Sequence, residues 1–372
     1  MLITFKSKLL LAGTAIFILL NSALRAQQIF KQDLLFSNKK PLKIKLNYSN
    51  KNLNKNTNDS TFIKSKLIFF EKKINKEIQV SLRARGNFRR KHCYFTPVKI
   101  KIKKSDALNT IFSENFRRKH CYFTPVKIKI KKSDALNTIF RDNRTLKLVL
   151  PCKNNRDKND NILKEFIAYK IYEIISLYYF KTRRLEVDYT NQKNNKGINY
   201  NLAGFLIEDD DKVAKRFDGK IVKRKISPLA MDDFNSVNLS FFNFLIGNTD
   251  FSSAHQHNGK LLFYEKKIIP IPYDFDLTGW VKPKYGLGIT NRLGYSFEER
   301  NYIGFKRGKN IYSKVRNHYL RLKEKIFNTV ELYESEFEYK KSYNLMMDYL
   351  REFYEILEDD KLYNNLIISE AK

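Results

Sequence analysis

Apolar and polar residues alternate along five stretches of the first part of the chain. They are Leu42 to Tyr48, Thr61 to Phe70, Glu77 to Arg85, Val98 to Ile102 and Val126 to Ile130. A period of two puts one set of side chains on one face, so each stretch predicts a half-buried strand. Leu146 to Leu150 adds another strand. Leu185 to Tyr189 and Tyr200 to Ile207 predict a hairpin about the turn Asn194-Asn195-Lys196-Gly197. Ser49 to Ser60, rich in Asn and Lys, reads as a loop. The period changes over Asp160 to Tyr179, where Leu163, Phe166, Ile167, Ile171, Ile174 and Ile175 fall on one helical face and Asp160 is the expected cap. Leu229 to Ile246 carries a second helical stripe. Two short strands follow, Lys260 to Tyr264 and Ile268 to Ile271. From Asn310 onward the pattern is helical and aromatic, with Tyr319, Tyr349 and Phe353 among the expected core. The order is a strand-rich first half with one helix, then a helical second half with one small hairpin.

One segment breaks this rhythm. Asn87 to Phe112 reads NFRRKHCYFTPVKIKIKKSDALNTIF, and Asn115 to Phe140 repeats it letter for letter. Solenoid repeats diverge and come in threes or more. Two identical copies point instead to a recent tandem duplication or an assembly error, not an architecture. The first copy follows Arg85-Gly86; the second runs on into Arg141 to Arg144 and the next strand. The fold must either loop out one copy or pair it as an extra hairpin.

Composition sharpens the picture in three ways. Hydrophobic residues make up 42% of the chain, enough for a sizeable core and too many for wholesale disorder. The net charge of +32 predicts attraction to phosphorylated ligands, anionic surface polymers or lipids. Nucleic acid has only this charge behind it, with no recognition motif. Lys6 and Lys8 precede an apolar run, Leu9 to Leu20, that ends in small residues near Ala26. That is the form of an export signal over 1–26, too short to span a bilayer, with no other segment apolar enough to cross one. The chain is therefore expected outside the cytoplasm: periplasmic, at the cell surface or secreted. Of three cysteines, Cys93 and Cys121 are copies of one another. Either a disulfide to Cys152 or buried free thiols would suit such a chain.

The candidate chemistry lies between Ile246 and Gly279, IGNTDFSSAHQHNGKLLFYEKKIIPIPYDFDLTG. Asp250 follows a buried-looking helix and suits a general base or hydroxyl-orienting group. Asn258 offers a neutral oxygen. Asp274 and Asp276 follow an apolar strand, and strand alternation would set both carboxylates on one face. Two such carboxylates need a cation or a proton between them, and Mg²⁺ or Mn²⁺ takes oxygen ligands of this kind. His255 and His257 flank the loop; with Asp250 and Asp274 they could instead hold a transition metal. Arg85-Gly86 is a basic turn that lets backbone approach a phosphate. Lys147 is a candidate phosphate ligand, as are Lys99, Lys101, Lys127 and Lys129. Glu165 could pair with such a lysine. On a two-lobed, nucleotide-binding reading, Glu208 and Asp209 would mark the hinge, where backbone meets adenine and side chains matter less; Asp209 to Asp211 also suit a helix start.

In these features the chain resembles the CotH-like kinase family, in its exported form. The carrying segments are Arg85-Gly86-Asn87, TLKLVLPCKN…ILKEFIAYKIYEI, GFLIEDDD and IGNTD…HN…PYDFD. The last is also similar to HipA-type kinases. The resemblance implies an α+β, two-lobed protein-kinase-like fold, with a strand-rich lobe over 27–207 and a helical lobe over 208–372. It implies ATP with Mg²⁺ or Mn²⁺ and phosphate transfer to a protein or small-molecule acceptor. By position it makes Asp250 the catalytic Asp and Asn258 and Asp274 metal ligands, with Asp276 beside them. The competing expectation is an inactive module of the same kind that binds anionic surface polymers or proteins through its basic face.

Overall fold

The computed structural model describes residues 33–58, 60–71, 74–85, 126–193, 196–284, 296, 297 and 299–372. The leader over 1–26, Gly86 and the whole first copy of the duplicated segment lie outside the described residues. The chain divides into a short unit, Met1–Asn38, and a large one, Lys39–Lys372. Of the short unit, residues 33–38 form a turn in which the Asp33 carboxylate accepts from the Leu35 N–H.

The strands of the large unit are β1 (Leu42–Tyr48), β2 (Ile63–Glu71), β3 (Ile74–Ala84), β4 (Val126–Ile130), β5 (Thr145–Val149), β6 (Thr182–Lys193) and β7 (Lys196–Glu208). They close into a seven-stranded barrel in the order β1-β2-β3-β4-β5-β7-β6. Neighbours pair antiparallel except at the closure, where β1 runs parallel to β6 with Leu42 opposite Leu185. β1 alternates buried and exposed along its whole length, as its sequence predicts. A barrel leaves no open edge, which removes the pairing hazard of exposed strands.

The expected two-lobed protein-kinase-like architecture is corrected by this closure. The strand-rich half is a closed barrel, which points to another architecture, and residues on both sides of the expected boundary belong to the same compact unit. The physical reason is the parallel β1–β6 pair, which joins strands far apart in sequence. The mixture of helices and strands stands. The second copy of the duplicated segment supplies β4, which pairs with β3 on one side and β5 on the other.

Helix α1 (Asn50–Asn56) occupies the stretch expected as loop. Ser49 caps it, accepting from the Asn52 N–H, and Leu53 is buried. Helix α2 (Lys158–Ile175) begins before Asp160, so Asp160 is not its cap. That carboxylate is buried and receives the N–H groups of Glu338 and Tyr339. Beyond β7 come α3 (Asp210–Arg216), β8 (Lys220–Val222), α4 (Asp233–Leu245), β9 (Gly259–Tyr264) and β10 (Lys267–Pro272), the last two flanking a tight turn. β8, β9 and β10 form a separate antiparallel sheet. The last major helices are α5 (Lys309–Arg321), α6 (Lys323–Glu331) and α7 (Lys340–Glu358). One continuous core joins α2, α4, α5 and α7, with Phe241, Phe242, Tyr319 and Phe353 fully buried. Among the described residues, no helix is long and apolar enough to cross a membrane.

Candidate functional site

The site is assembled by the open end of the β9–β10 hairpin. Gly259 pairs with Pro272 as the last register pair, and just beyond it the Tyr273 N–H donates to the Asn258 carbonyl at 3.1 Å. Asn258 and Asp274 thus flank one ladder end. Both adopt left-handed backbone, with φ of 49° and 68°. Asn and Asp tolerate that region better than most residues. The Asp274 N–H donates to the Tyr169 hydroxyl of α2 at 2.9 Å. Phe275 then plunges into the core, its ring 4.5 Å from Tyr169 and 5.2 Å from Phe242. These contacts fix where the Asp274 carboxylate leaves the backbone.

Asp250 enters from the loop after α4. Gly247 turns that loop with φ 58°, and its carbonyl accepts from the Gly279 N–H at 3.0 Å. The Asn248 side chain accepts from the Asp250 N–H. The Asp250 carboxylate accepts from Asn258 Nδ2 at 3.1 Å, and its other oxygen lies 3.0 Å from His257 Nε2. The His257 pKa is raised, first by that hydrogen bond; burial opposes it, and the charges of Asp250 and Asp274 add to it. Asp250, His257, Asn258 and Asp274 are therefore brought together. His255 is exposed. Among the described residues no group of three or more His, Cys, Asp or Glu gathers closely enough to hold a metal ion by itself.

The donor set still fits a hard divalent ion that completes its shell with phosphate and water. The Asn258 amide nitrogen is committed to Asp250, which orients its carbonyl oxygen as the free end for a cation. Asp274 adds a carboxylate. Asp276 stands differently. β10 ends at Pro272, so strand alternation does not carry through to Asp276, which is buried and lines a small cavity with Glu165, Lys153 and Lys158. Glu165 is itself buried on α2, and its charge, like that of Asp274, bears on the Tyr169 ring.

Lys147 is the buried amine of the site. Its ammonium forms an ion pair with Asp210 at the start of α3, 4.8 Å from the Phe180 ring and 5.0 Å from the Tyr273 ring. Burial lowers its pKa to about 8, Asp210 opposes that, and Arg85 and Lys260 add repulsion. Lys260 Nζ lies 3.6 Å from the same Asp210 carboxylate and 5.2 Å from the Tyr273 ring. Of the other candidate lysines, Lys127 pairs with Asp209 and Lys129 lies over the Phe62 ring. Lys99 and Lys101 lie outside the described residues.

At the expected hinge, Glu208 ends β7 and Asp209 precedes α3. The Glu208 N–H already donates to the Lys181 carbonyl, and its buried carboxylate accepts from the Lys181 N–H and Arg216. Asp209 spends its side chain on Lys127. Sequence reasoning missed Asp210 as the counter-ion of Lys147, and it missed Lys260 and Tyr169. Lys260 had a signal, since it stands two residues after Asn258 at the start of a strand. Asp210 had none beyond its place at a helix start. No protein-family model and no curated protein matches the chain.

Proposed function

We propose that the protein is a divalent-metal-dependent phosphotransferase that uses ATP, of the CotH-like kind, and works outside the cytoplasm. The observation that carries this reading is the convergence of Asp250, Asn258 and Asp274 at the open end of one hairpin, in the order that protein kinases use. The reading rests on this site and not on a two-lobed architecture. Asp250 orients the acceptor hydroxyl and takes its proton. Asn258 fixes the Asp250 carboxylate through Nδ2 and, with Asp274, would hold the metal. That ion would neutralise phosphate charge as it shifts during transfer. Lys147 and Lys260, held against the Tyr273 face, would meet the phosphates once Asp210 yields them. Cys152 is disulfide-bonded, which suits an oxidising compartment and supports export.

The test is isothermal titration of ATP with Mg²⁺ or Mn²⁺ into the parent and Asp274→Ala. Micromolar, metal-dependent binding that the variant loses supports the reading. A folded parent that binds ATP only through salt-sensitive, metal-indifferent attraction refutes it, and leaves a basic module for anionic surface polymers or proteins.

A further inference from the structure

Beside the site runs a strand edge whose charges have no partners. β8 is the outer strand of the three-stranded sheet, with β9 on one side and no strand on the other among the described residues. Val222 stands opposite Leu261, two residues from Gly259, so β8 runs towards the end of the hairpin where Asp250, Asn258 and Asp274 meet. The chain beyond β8 is tied to the Asp250 loop, because Gln256 Nε2 donates to the Arg224 carbonyl at 2.6 Å. Gln256 immediately precedes His257, which contacts the Asp250 carboxylate.

From Asp218 to Ser227 the chain carries Lys220, Lys223, Arg224 and Lys225 against one acid, Asp218. All four cations are exposed. Nearby cations are matched: Lys260 by Asp210, Lys267 by Asp232 and Arg307 by Asp233. These four have no carboxylate partner among the described residues. Apart from the β8–β9 ladder, no backbone-to-backbone hydrogen bond engages Lys220 to Ile226 among the described residues. An edge strand offers its outward N–H and C=O groups to another chain. Its short length and its lysine guard such an edge, and in a chain of net charge +32 they turn away a second copy. The same charges favour a strand of opposite sign. A polypeptide has the repeating backbone amides to pair along the edge, which a polysaccharide lacks.

We propose that β8 and the basic stretch after it dock an acidic polypeptide segment, and that this segment carries the serine or threonine phosphorylated at Asp250. The dock stands on the edge and its charges; the acceptor role rests on the phosphotransfer reading above. The hydroxyl gives its proton to the Asp250 carboxylate, and its oxygen forms the new bond to the γ-phosphorus of ATP. The bond from that phosphorus to the β–γ bridging oxygen breaks, and ADP leaves.

The test uses the full-length protein and a fluorescent peptide with one serine among glutamates. Binding is read by fluorescence anisotropy, so the dock is measured whether or not phosphate is transferred. The variants are Lys223→Glu/Lys225→Glu and a charge-matched control on the barrel, Lys45→Glu/Lys64→Glu, all at exposed positions. The peptide is expected to bind the parent and the control alike, and the first variant roughly tenfold or more weakly. Equal weakening in the control assigns the binding to net charge and overturns the dock. Competition by oligogalacturonate as strong as by unlabelled peptide overturns the polypeptide occupant. Unchanged binding after N-methylation of alternate peptide amides overturns the strand pairing. Transfer from ATP·Mg²⁺ and nucleotide binding are followed separately. A protein that binds ATP·Mg²⁺ and docks the peptide without phosphorylating it, or that prefers a lysine-flanked serine, overturns the acceptor role alone. A protein that docks the peptide and binds no ATP·Mg²⁺ overturns the phosphotransfer reading and leaves the dock standing.

Discussion

Lys147 carries its charge in a nearly dry slot, with 8% of its side chain exposed, and that location has a measurable consequence. An ordinary lysine titrates near 10.4, whereas burial brings this one to about 8. Between those values the unfolded chain binds more protons than the native one. Stability therefore rises with pH from about 8 towards 10.4 as far as this group decides it. Asp210 shifts the other way. Although burial opposes it, the charge of Lys147 depresses its pKa, so its contribution is present above the ordinary carboxylate range and fades as pH falls through the lowered value. Asp210→Asn removes the ion-pair partner of Lys147. The midpoint of Lys147, followed by NMR of its side-chain nitrogen, should fall below about 8; a midpoint that stays put would show that Asp210 does not govern it. Gly247 offers a second test. Its left-handed backbone costs a residue with a Cβ about 1–2 kcal/mol. An added Cβ would also stand 2.0 Å from the Tyr349 hydroxyl, and Arg300 holds that ring from 3.5 Å. Gly247→Ala should cost roughly 2–4 kcal/mol in chemical denaturation, strain and overpacking together. Gly259→Ala, whose added Cβ meets nothing closer than 3.8 Å, should cost about 1 kcal/mol or less.

Elements decide whether Asp274 stands ready. Its N–H ends on the Tyr169 hydroxyl, so α2 and the β9–β10 hairpin share one hydrogen bond at the centre of the site. Tyr169→Phe keeps the ring and its packing on Phe275 but strands that N–H, a loss of about 1–2 kcal/mol. Melting should fall by a few degrees, while the ATP·Mg²⁺ dissociation constant rises several-fold because Asp274 loses its anchor. A variant that melts lower with unchanged nucleotide binding would reduce Tyr169 to packing. Much of this scale was legible in the sequence. The β4 strand has the bounds its alternation predicts, and α4, β9 and β10 stand within a few residues of their stripes. Alternation marks the face of a strand and is silent about its partner. Nothing local in Leu42 to Tyr48 tells that it will run parallel to Leu185 to Asn191, and so alternation reads as a strand-rich lobe without showing that it closes. Long-range polar partners were hidden for the same reason. Asp160 looked like a cap because its partners, Glu338 and Tyr339, are contributed by a distant segment. The Lys147–Asp210 pair follows from the β5–β7 register, Lys147 opposite Ile207, which only the closed sheet defines. The Asp250, Asn258 and Asp274 constellation was legible because one short hairpin carries its spacing.

At the scale of the molecule, the duplicated segment asks whether the chain needs both copies. The second copy supplies β4, between β3 and β5, so the connection from Ala84 to Val126 spans residues 85–125. Deleting residues 87–114 joins Gly86 to Asn115. Because the copies are identical, Gly86 is then followed by the same residues as before, and Val126 to Ile130 reaches β3 through a connection roughly a third as long. Loop closure alone should favour the shortened chain by about 1 kcal/mol. The cysteines make the outcome countable. The chain has three, and Cys152 is disulfide-bonded, so denatured, unreduced protein should release one thiol to a thiol reagent. The deletion removes Cys93 and leaves Cys121, which stands in the same His-Cys-Tyr context, to pair with Cys152; the count should fall to none. Reduction should then cost both chains about 2–4 kcal/mol, the ordinary worth of such a cross-link. A shortened chain that melts as high as the parent or higher, with no free thiol, makes the first copy an insertion that the barrel carries without using. A shortened chain that fails to fold, or keeps two free thiols, means that residues 87–114 are part of the structure and that β4 depends on them.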